Sequence, residues 1–240
     1  MEIVLTIAGS DPSGGAGIQQ DLKTITACGC YGATVITSLT SQNTLGVQSA
    51  MAVPADVVAS QLQSVLSDLR PSAVKIGMIP DREVAEAIVR SLSAIEVPIV
   101  YDPVMISTSG YLLMAPDAID YIARHLFPLC TLITPNLPEA ERIDVSSLKA
   151  AYLIKGGHAD SDMMTDVLHM PDGTTRQYAT PRIRTRNLHG TGCTLSSAIA
   201  SYLALGHTLP QAVAMAKDYI TSAIQRSVDI HIGSGNGPLV

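Results

Sequence analysis

Short apolar runs alternate with longer amphipathic stretches along the whole 240-residue chain. No other feature restricts the fold as much. The runs Ile3 to Ala8, Thr34 to Leu39, Ala73 to Ile76, Ile99 to Tyr101, Leu132 to Thr134 and Tyr152 to Ile154 are too short for helices. Their mostly continuous apolar character is that of strands buried on both faces. Helical spacing marks the segments between them: about Ala16 to Ala27, Asp81 to Ile95 and Asp117 to Leu126. Another begins near Asp56, places Val58, Leu62, Val65, Leu66 and Leu69 on one face, and is closed by Pro71. Two helices, about Gly192 to Leu205 and Leu209 to Arg226, follow a hairpin turning at Pro171-Asp172-Gly173. This order predicts one domain over residues 1–240, a three-layer α/β/α arrangement around a mostly parallel sheet. Ligands of such sheets bind beyond the carboxyl ends of the strands. The strand ends here read Gly9-Ser10, Asp102-Pro103, Pro135-Asn136 and Lys155-Gly156-Gly157.

Charge and cysteine content exclude several classes. A formal net charge of −6, with no Lys/Arg cluster, argues against a nucleic-acid partner. No apolar run approaches the ~18 residues that span a membrane, and no basic segment with a cleavage site opens the chain. A cytoplasmic location is the expectation. Cys28, Cys30, Cys130 and Cys193 match neither a zinc pattern nor a Cys-x-x-Cys redox motif. Only 15% of residues are charged against 47% apolar. Part of that apolar excess is expected in an oligomer interface.

Three segments carry chemistry. The turn from Gly9 to Gly17 lets a ligand approach the backbone, but it is neither a Walker A loop nor a dinucleotide fingerprint. A plain structural turn explains it as well. His189-Gly190-Thr191-Gly192-Cys193-Thr194 opens an apolar helix, where N–H groups and the dipole favour an anion. That location should lower the pKa of Cys193 toward reactivity, the alternative being an inert buried cysteine. Asp102, Asn136 with Glu139, and Lys155 stand at the ends of different strands. Their oxygens suit Mg²⁺ and the lysine suits a phosphate. Capping and surface roles remain open for each of them singly.

Seven ordered segments give these residues a family resemblance. They are Thr6 to Gln19, Ser41-Gln42-Asn43-Thr44, Lys75-Ile76-Gly77-Met78, Asp102-Pro103-Val104-Met105, Thr134 to Ala140, Lys155-Gly156-Gly157-His158 and His189 to Ser196. Together they resemble the ribokinase-like superfamily, and within it the hydroxymethylpyrimidine/phosphomethylpyrimidine kinases of thiamin biosynthesis. The resemblance implies ATP and Mg²⁺, a pyrimidine substrate phosphorylated on its hydroxymethyl group and then on the monophosphate, and a homodimer. By the same resemblance Gln42 would bond the ring edge. Gly9, Ala16, Met78 and Val104, with Asp21, would shape the ring pocket. Asn136 and Glu139 would organise Mg²⁺ and phosphates, with Lys155 beside the phosphates and Asp102 near the metal. Gly190, Thr191, Gly192 and Cys193 would form the anion hole, with Cys193 facing the hydroxymethyl group where most of the superfamily places an aspartate base. Similar bacterial pyridoxal kinases also carry that cysteine, so a pyridoxal or pyridoxine kinase is the alternative. A non-catalytic ligand-binding protein is a second one. Only Ala140 to Ile154 separate Glu139 from Lys155, a shorter stretch than the family pattern.

Overall fold

The structure, a computed structural model, describes residues 1–107, 110–145, 148–156 and 162–240. Gly157 and His158 of the sixth segment lie outside the described residues. Nine strands form one sheet: β1 (Ile3–Ser10), β2 (Tyr31–Asn43), β3 (Gly46–Ala52), β4 (Ala73–Ile76), β5 (Ile99–Tyr101), β6 (Leu132–Ile133), β7 (Ala151–Ile154), β8 (Met163–His169) and β9 (Thr175–Pro181). Their order is β3-β2-β1-β4-β5-β6-β7-β8-β9. The strands β2 to β7 in that order pair in parallel, while β3, β8 and β9 join antiparallel. The chain leaves β1 toward β2 and later leaves β4 in the opposite direction, so the topology switches between β1 and β4. A crevice opens at such a point.

Among the described residues seven α-helices cover the sheet: α1 (Gly17–Ala27), α2 (Ala55–Asp68), α3 (Arg82–Leu92), α4 (Pro116–His125), α5 (Leu137–Arg142), α6 (Thr191–Ala204) and α7 (Leu209–Ser227). The period-2 alternation of the strands divides the core between two faces. Leu5, Ile7, Val74, Ile76, Tyr101 and Ile133 pack with Val58 and Leu62 of α2, Ile88 of α3 and Ile122 of α4. Val4, Ala73, Val100, Leu132 and Leu153 face the other way, onto Ile25 of α1, Ile199 of α6 and Val213 of α7. Each such large side chain, fully withdrawn from water, contributes roughly 1.5–3 kcal/mol. Small residues let α6 sit close to the sheet, for Ser197, Ala198, Ala200 and Ser201 are all fully buried.

The expected strands and long helices all form, with ends displaced by a few residues. One strand and one helix go beyond the sequence reading. The strand β3 extends the sheet beyond β2 as an antiparallel edge. The helix α5 occupies only six residues and is fixed by a capping box, in which Asn136 Oδ1 accepts from the Glu139 N–H at 2.9 Å and Glu139 Oε2 from the Asn136 N–H at 2.8 Å.

Candidate active site

Two glycine loops close the β1 side of the crevice. The turn after β1 is organised by Asp11, whose Oδ1 accepts from the N–H and the hydroxyl of Ser13. Its Oδ2 accepts from the Gly15 and Ala16 N–H groups at 3.2 and 2.8 Å. The second loop precedes α6. Gly190 has φ +82° and serves as the helix N-cap. A Cβ there would stand 1.8 Å from the Gly15 carbonyl oxygen, so the two loops interlock only because both lack side chains. The side chain of His189 adds a direct tie, its Nε2 lying 2.8 Å from Asp11 Oδ2.

The opposite side is charged. Lys155 follows β7, and its Nζ is 2.6 Å from Asp102 Oδ1 at the end of β5. Thr134 Oγ1 also donates to that oxygen, at 3.2 Å. A Cβ on Gly192 would be 3.1 Å from Asp102 Oδ2 and 3.6 Å from Lys155 Nζ. The N-terminus of α6 therefore borders this ion pair directly. Glu139, also buried, completes the group. Burial raises its pKa and the charge of Asp102 adds to the rise, against Lys155 and the N–H groups of Asn136 and Met105. The Lys155 ammonium loses to burial but gains more from Asp102 and Glu139, and its pKa is raised. It stays charged throughout the neutral range.

One cavity of about 550 Å³ brings these groups together. Gly9, Ala16, Gln42, Met78 and Val104 line one part of it, while Asp102, Asn136, Glu139, Lys155, Gly190, Thr191, Gly192 and Cys193 line the other. Two sequence expectations fail. Asp21 is not on the wall. It is fully buried beneath it, where both its oxygens lie 2.8 Å from Lys75 Nζ and also accept from Thr6 and Ser197. It faces inward from α1, and a fully buried lysine on β4 claims its charge. The second failure is the thiol of Cys193. Burial pushes its pKa up to about 11, with Asp21 and Asp102 adding to the rise, despite the opposing Lys75 ammonium and the Gly17 N–H. Desolvation and two carboxylates outweigh the local pull of the helix start. The resting group is a neutral thiol.

Some of the cavity wall was not anticipated. Lys75, Asp11 and the side chain of His189 all line it. A signal for Lys75 was present, since a lysine within the four-residue apolar strand Ala73–Ile76 requires a buried carboxylate partner. Nothing local in the sequence announces the pairing of Asp11 with His189, which are 178 residues apart.

Comparison with known proteins agrees with this geometry. A family model described as phosphomethylpyrimidine kinase matches residues 11–240. A hydroxymethylpyrimidine/phosphomethylpyrimidine kinase of Rhizobium meliloti is 45% identical over 255 aligned positions, covering 99% of this chain and 96% of the relative. Those 255 positions exceed the 240 residues here by 15, so the relative carries residues this chain lacks. Among solved structures, phosphomethylpyrimidine kinase from Clostridium difficile superposes with a TM-score of 0.81 at 42% identity, covering 93% of this chain and all of the other. An ADP complex of Bacillus subtilis pyridoxal kinase gives 0.89 at 31% identity, covering 100% and 96%. With the match running from Asp11 to the last residue, through both glycine loops and every charged group of the cavity, the chain belongs to the phosphomethylpyrimidine kinase family.

Proposed function

We propose that this protein transfers the γ-phosphate of ATP to the hydroxymethyl group of 4-amino-5-hydroxymethyl-2-methylpyrimidine, and then phosphorylates the monophosphate, in thiamin biosynthesis. The observation that carries this reading is the contact of the α6 N-terminus with the Lys155–Asp102 pair, in the same cavity as Gln42. N–H groups at the α6 start and an ammonium converge there on one region, as transfer of an anionic phosphoryl group requires. Gln42 provides a donor and an acceptor for an aminopyrimidine edge, with Gly9, Ala16, Met78 and Val104 around the ring. The N–H groups of Gly190 and Gly192 hold the moving phosphoryl oxygens, that of Thr191 already donating to the Leu188 carbonyl at 3.3 Å, and Lys155 neutralises the nucleotide phosphates. Cys193, beside them, takes the hydroxyl proton when the thiolate forms.

The donor set also fits Mg²⁺. That ion takes one or two carboxylates and fills its remaining positions with water and phosphate oxygens. Asp102 and Glu139 are two such carboxylates, close enough to raise the pKa of Glu139. Asn136 contributes only its amide N–H groups to phosphates, because its oxygen is held by the capping box. Bound there, Mg²⁺ would neutralise charge on the transferring phosphates.

A homodimer is part of the same reading. Leu39, Leu45 and Met51, on and beside the β2–β3 edge, are 43, 68 and 60% exposed, and this apolar edge supports pairing with a second copy. The cytoplasm, where thiols stay reduced, suits four free cysteines and an ATP-dependent reaction. Among the described residues no helix is long and apolar enough to cross a membrane.

The test is ATP consumption with hydroxymethylpyrimidine, its monophosphate, pyridoxal, pyridoxine and ribose. Turnover with both pyrimidines above the pyridoxal compounds is the expected result. Preference for pyridoxal would replace the substrate, and turnover with none would leave a binding protein.

A further inference from the structure

His189 Nε2 lies 2.8 Å from Asp11 Oδ2 and 3.1 Å from the Gln42 side-chain amide atom placed as Nε2. One ring nitrogen is thus shared between a carboxylate and a carboxamide, and it can either donate or accept. Asp11 decides which. Its carboxyl already accepts from Ser13, Gly15 and Ala16. It is therefore an ionised acceptor, and its pKa is lowered, with the bonds from His189 and Ser13 outweighing burial. A bare nitrogen lone pair 2.8 Å from an anionic oxygen would be repulsive, so His189 Nε2 carries a proton directed at Asp11. It then has no lone pair to receive an N–H from Gln42.

Thr40 reaches the same conclusion from the other side. Its hydroxyl has a single proton, which goes to the Ser10 carbonyl at 2.9 Å. The contact between Thr40 Oγ1 and the Gln42 atom placed as Oε1 is longer, 3.3 Å. Thr40 thus offers Gln42 a lone pair. The oxygen and nitrogen of a carboxamide are assigned from such networks, and both neighbours demand the reversed assignment. The Gln42 oxygen faces the His189 N–H, as the longer 3.1 Å arm of a proton shared with Asp11, and its NH₂ faces Thr40.

We propose that Asp11, acting through the Nε2 proton of His189, is a positioning residue that fixes the donor–acceptor polarity of Gln42 and so selects an aminopyrimidine edge over its exchanged 4-oxo counterpart. This rests on the reading of Gln42 as the group that bonds the ring. One lone pair and one N–H of the carboxamide remain for the ligand, in a fixed order. The backbone of His189 is held independently, its N–H donating to the Gly237 carbonyl at 3.1 Å. Removing the ring releases Gln42 and gives up the tie to Asp11, while this backbone bond and the Gly15–Gly190 contact still hold the loop.

The experiment is calorimetry with two ligands, 4-amino-5-hydroxymethyl-2-methylpyrimidine and the 4-oxo analogue, whose edge has donor and acceptor exchanged. The wild-type protein should prefer the amino ligand by roughly tenfold or more. His189→Leu should let Gln42 turn over and bring that ratio toward one. His189→Gln, whose terminal NH₂ donates to Asp11 and Gln42 alike, should restore it. A His189→Leu protein that weakens both ligands equally and keeps the ratio would overturn the proposal while leaving the Gln42 reading intact. Wild-type affinity of Gln42→Leu for the amino ligand would overturn both. Nitrogen NMR of the unmodified protein provides a readout that no variant can spoil: Nε2 of His189 is expected to be protonated, and an unprotonated Nε2 would refute the assignment.

Discussion

Two lysine–aspartate pairs stand at the same crevice, one beneath its wall and one in it, and they differ in almost everything except composition. Lys75 and Asp21 are fully enclosed, with side-chain exposures of 0% and 0%. The ammonium bridges both carboxylate oxygens, and Thr6 and Ser197 satisfy what is left of the carboxylate. Strands β1 and β4 and helices α1 and α6 are thereby tied at one point. Lys155 and Asp102 share a single oxygen, and Lys155 is 16% exposed to the cavity. A saturated pair holds elements together, whereas an unsaturated pair keeps bonding capacity for a ligand. Charge type, which the two pairs share, does not tell them apart. Their hydrogen-bond counts and exposure do.

The comparison breaks most directly at Asp21. Asp21→Ala leaves a buried ammonium without its partner and should cost about 3–5 kcal/mol in urea denaturation. Asp21→Leu combined with Lys75→Met should recover most of that loss, since an apolar pair of similar size removes both charges together. Equal stability of Asp21→Ala and the wild type would mean that the floor is wet and the pair is not structural.

Cys193 lies electrostatically between the pairs, drawn down by Lys75 and pushed up by Asp21 and Asp102. With the thiol at about 11, the thiolate fraction rises tenfold for each unit by which the pH increases toward that value. The rate constant kcat should climb correspondingly between about pH 7.5 and 9.5. Cys193→Ala should remove that slope and lower kcat by roughly 10²- to 10⁴-fold. Near-normal kcat with an unchanged pH profile in this variant would leave the Gly190–Gly192 hole as the main catalytic feature of the segment.

Lys155→Ala sharpens the contrast at smaller scale. It should reduce phosphoryl transfer or ATP affinity by roughly 10²-fold, a loss of about 3 kcal/mol, while pyrimidine binding without nucleotide stays near normal. Its unfolding free energy should change by less than that of Asp21→Ala. Loss of pyrimidine binding alone would move Lys155 away from the phosphates.

The same gradient, from local to long-range, separates what could be read in the sequence from what could not. Ala73–Ile76 and Ile99–Tyr101 were legible to the residue because apolar runs end abruptly at Gly77 and Asp102. The edge strand Gly46–Ala52 was not, since Gly, Gln, Ser and Ala carry weak strand preference and its order comes from pairing with β2. The glycine loops and strand-end charges singled out from the sequence line one cavity. The direction in which Asp21 faces and the desolvation of Cys193 depend on what packs from α1, β4 and α6. No single segment contains that information.

The interlocked loops have a consequence for synthesis. The Gly15 carbonyl occupies the space denied to a side chain on Gly190, and these residues are 175 positions apart. A nascent chain that has made the entire parallel sheet, β1 through β7, still lacks one wall of the cavity. The first loop must wait, without its counterpart, until the start of α6 has left the ribosome. Phosphoryl transfer is therefore withheld from any nascent chain that has not yet released the start of α6.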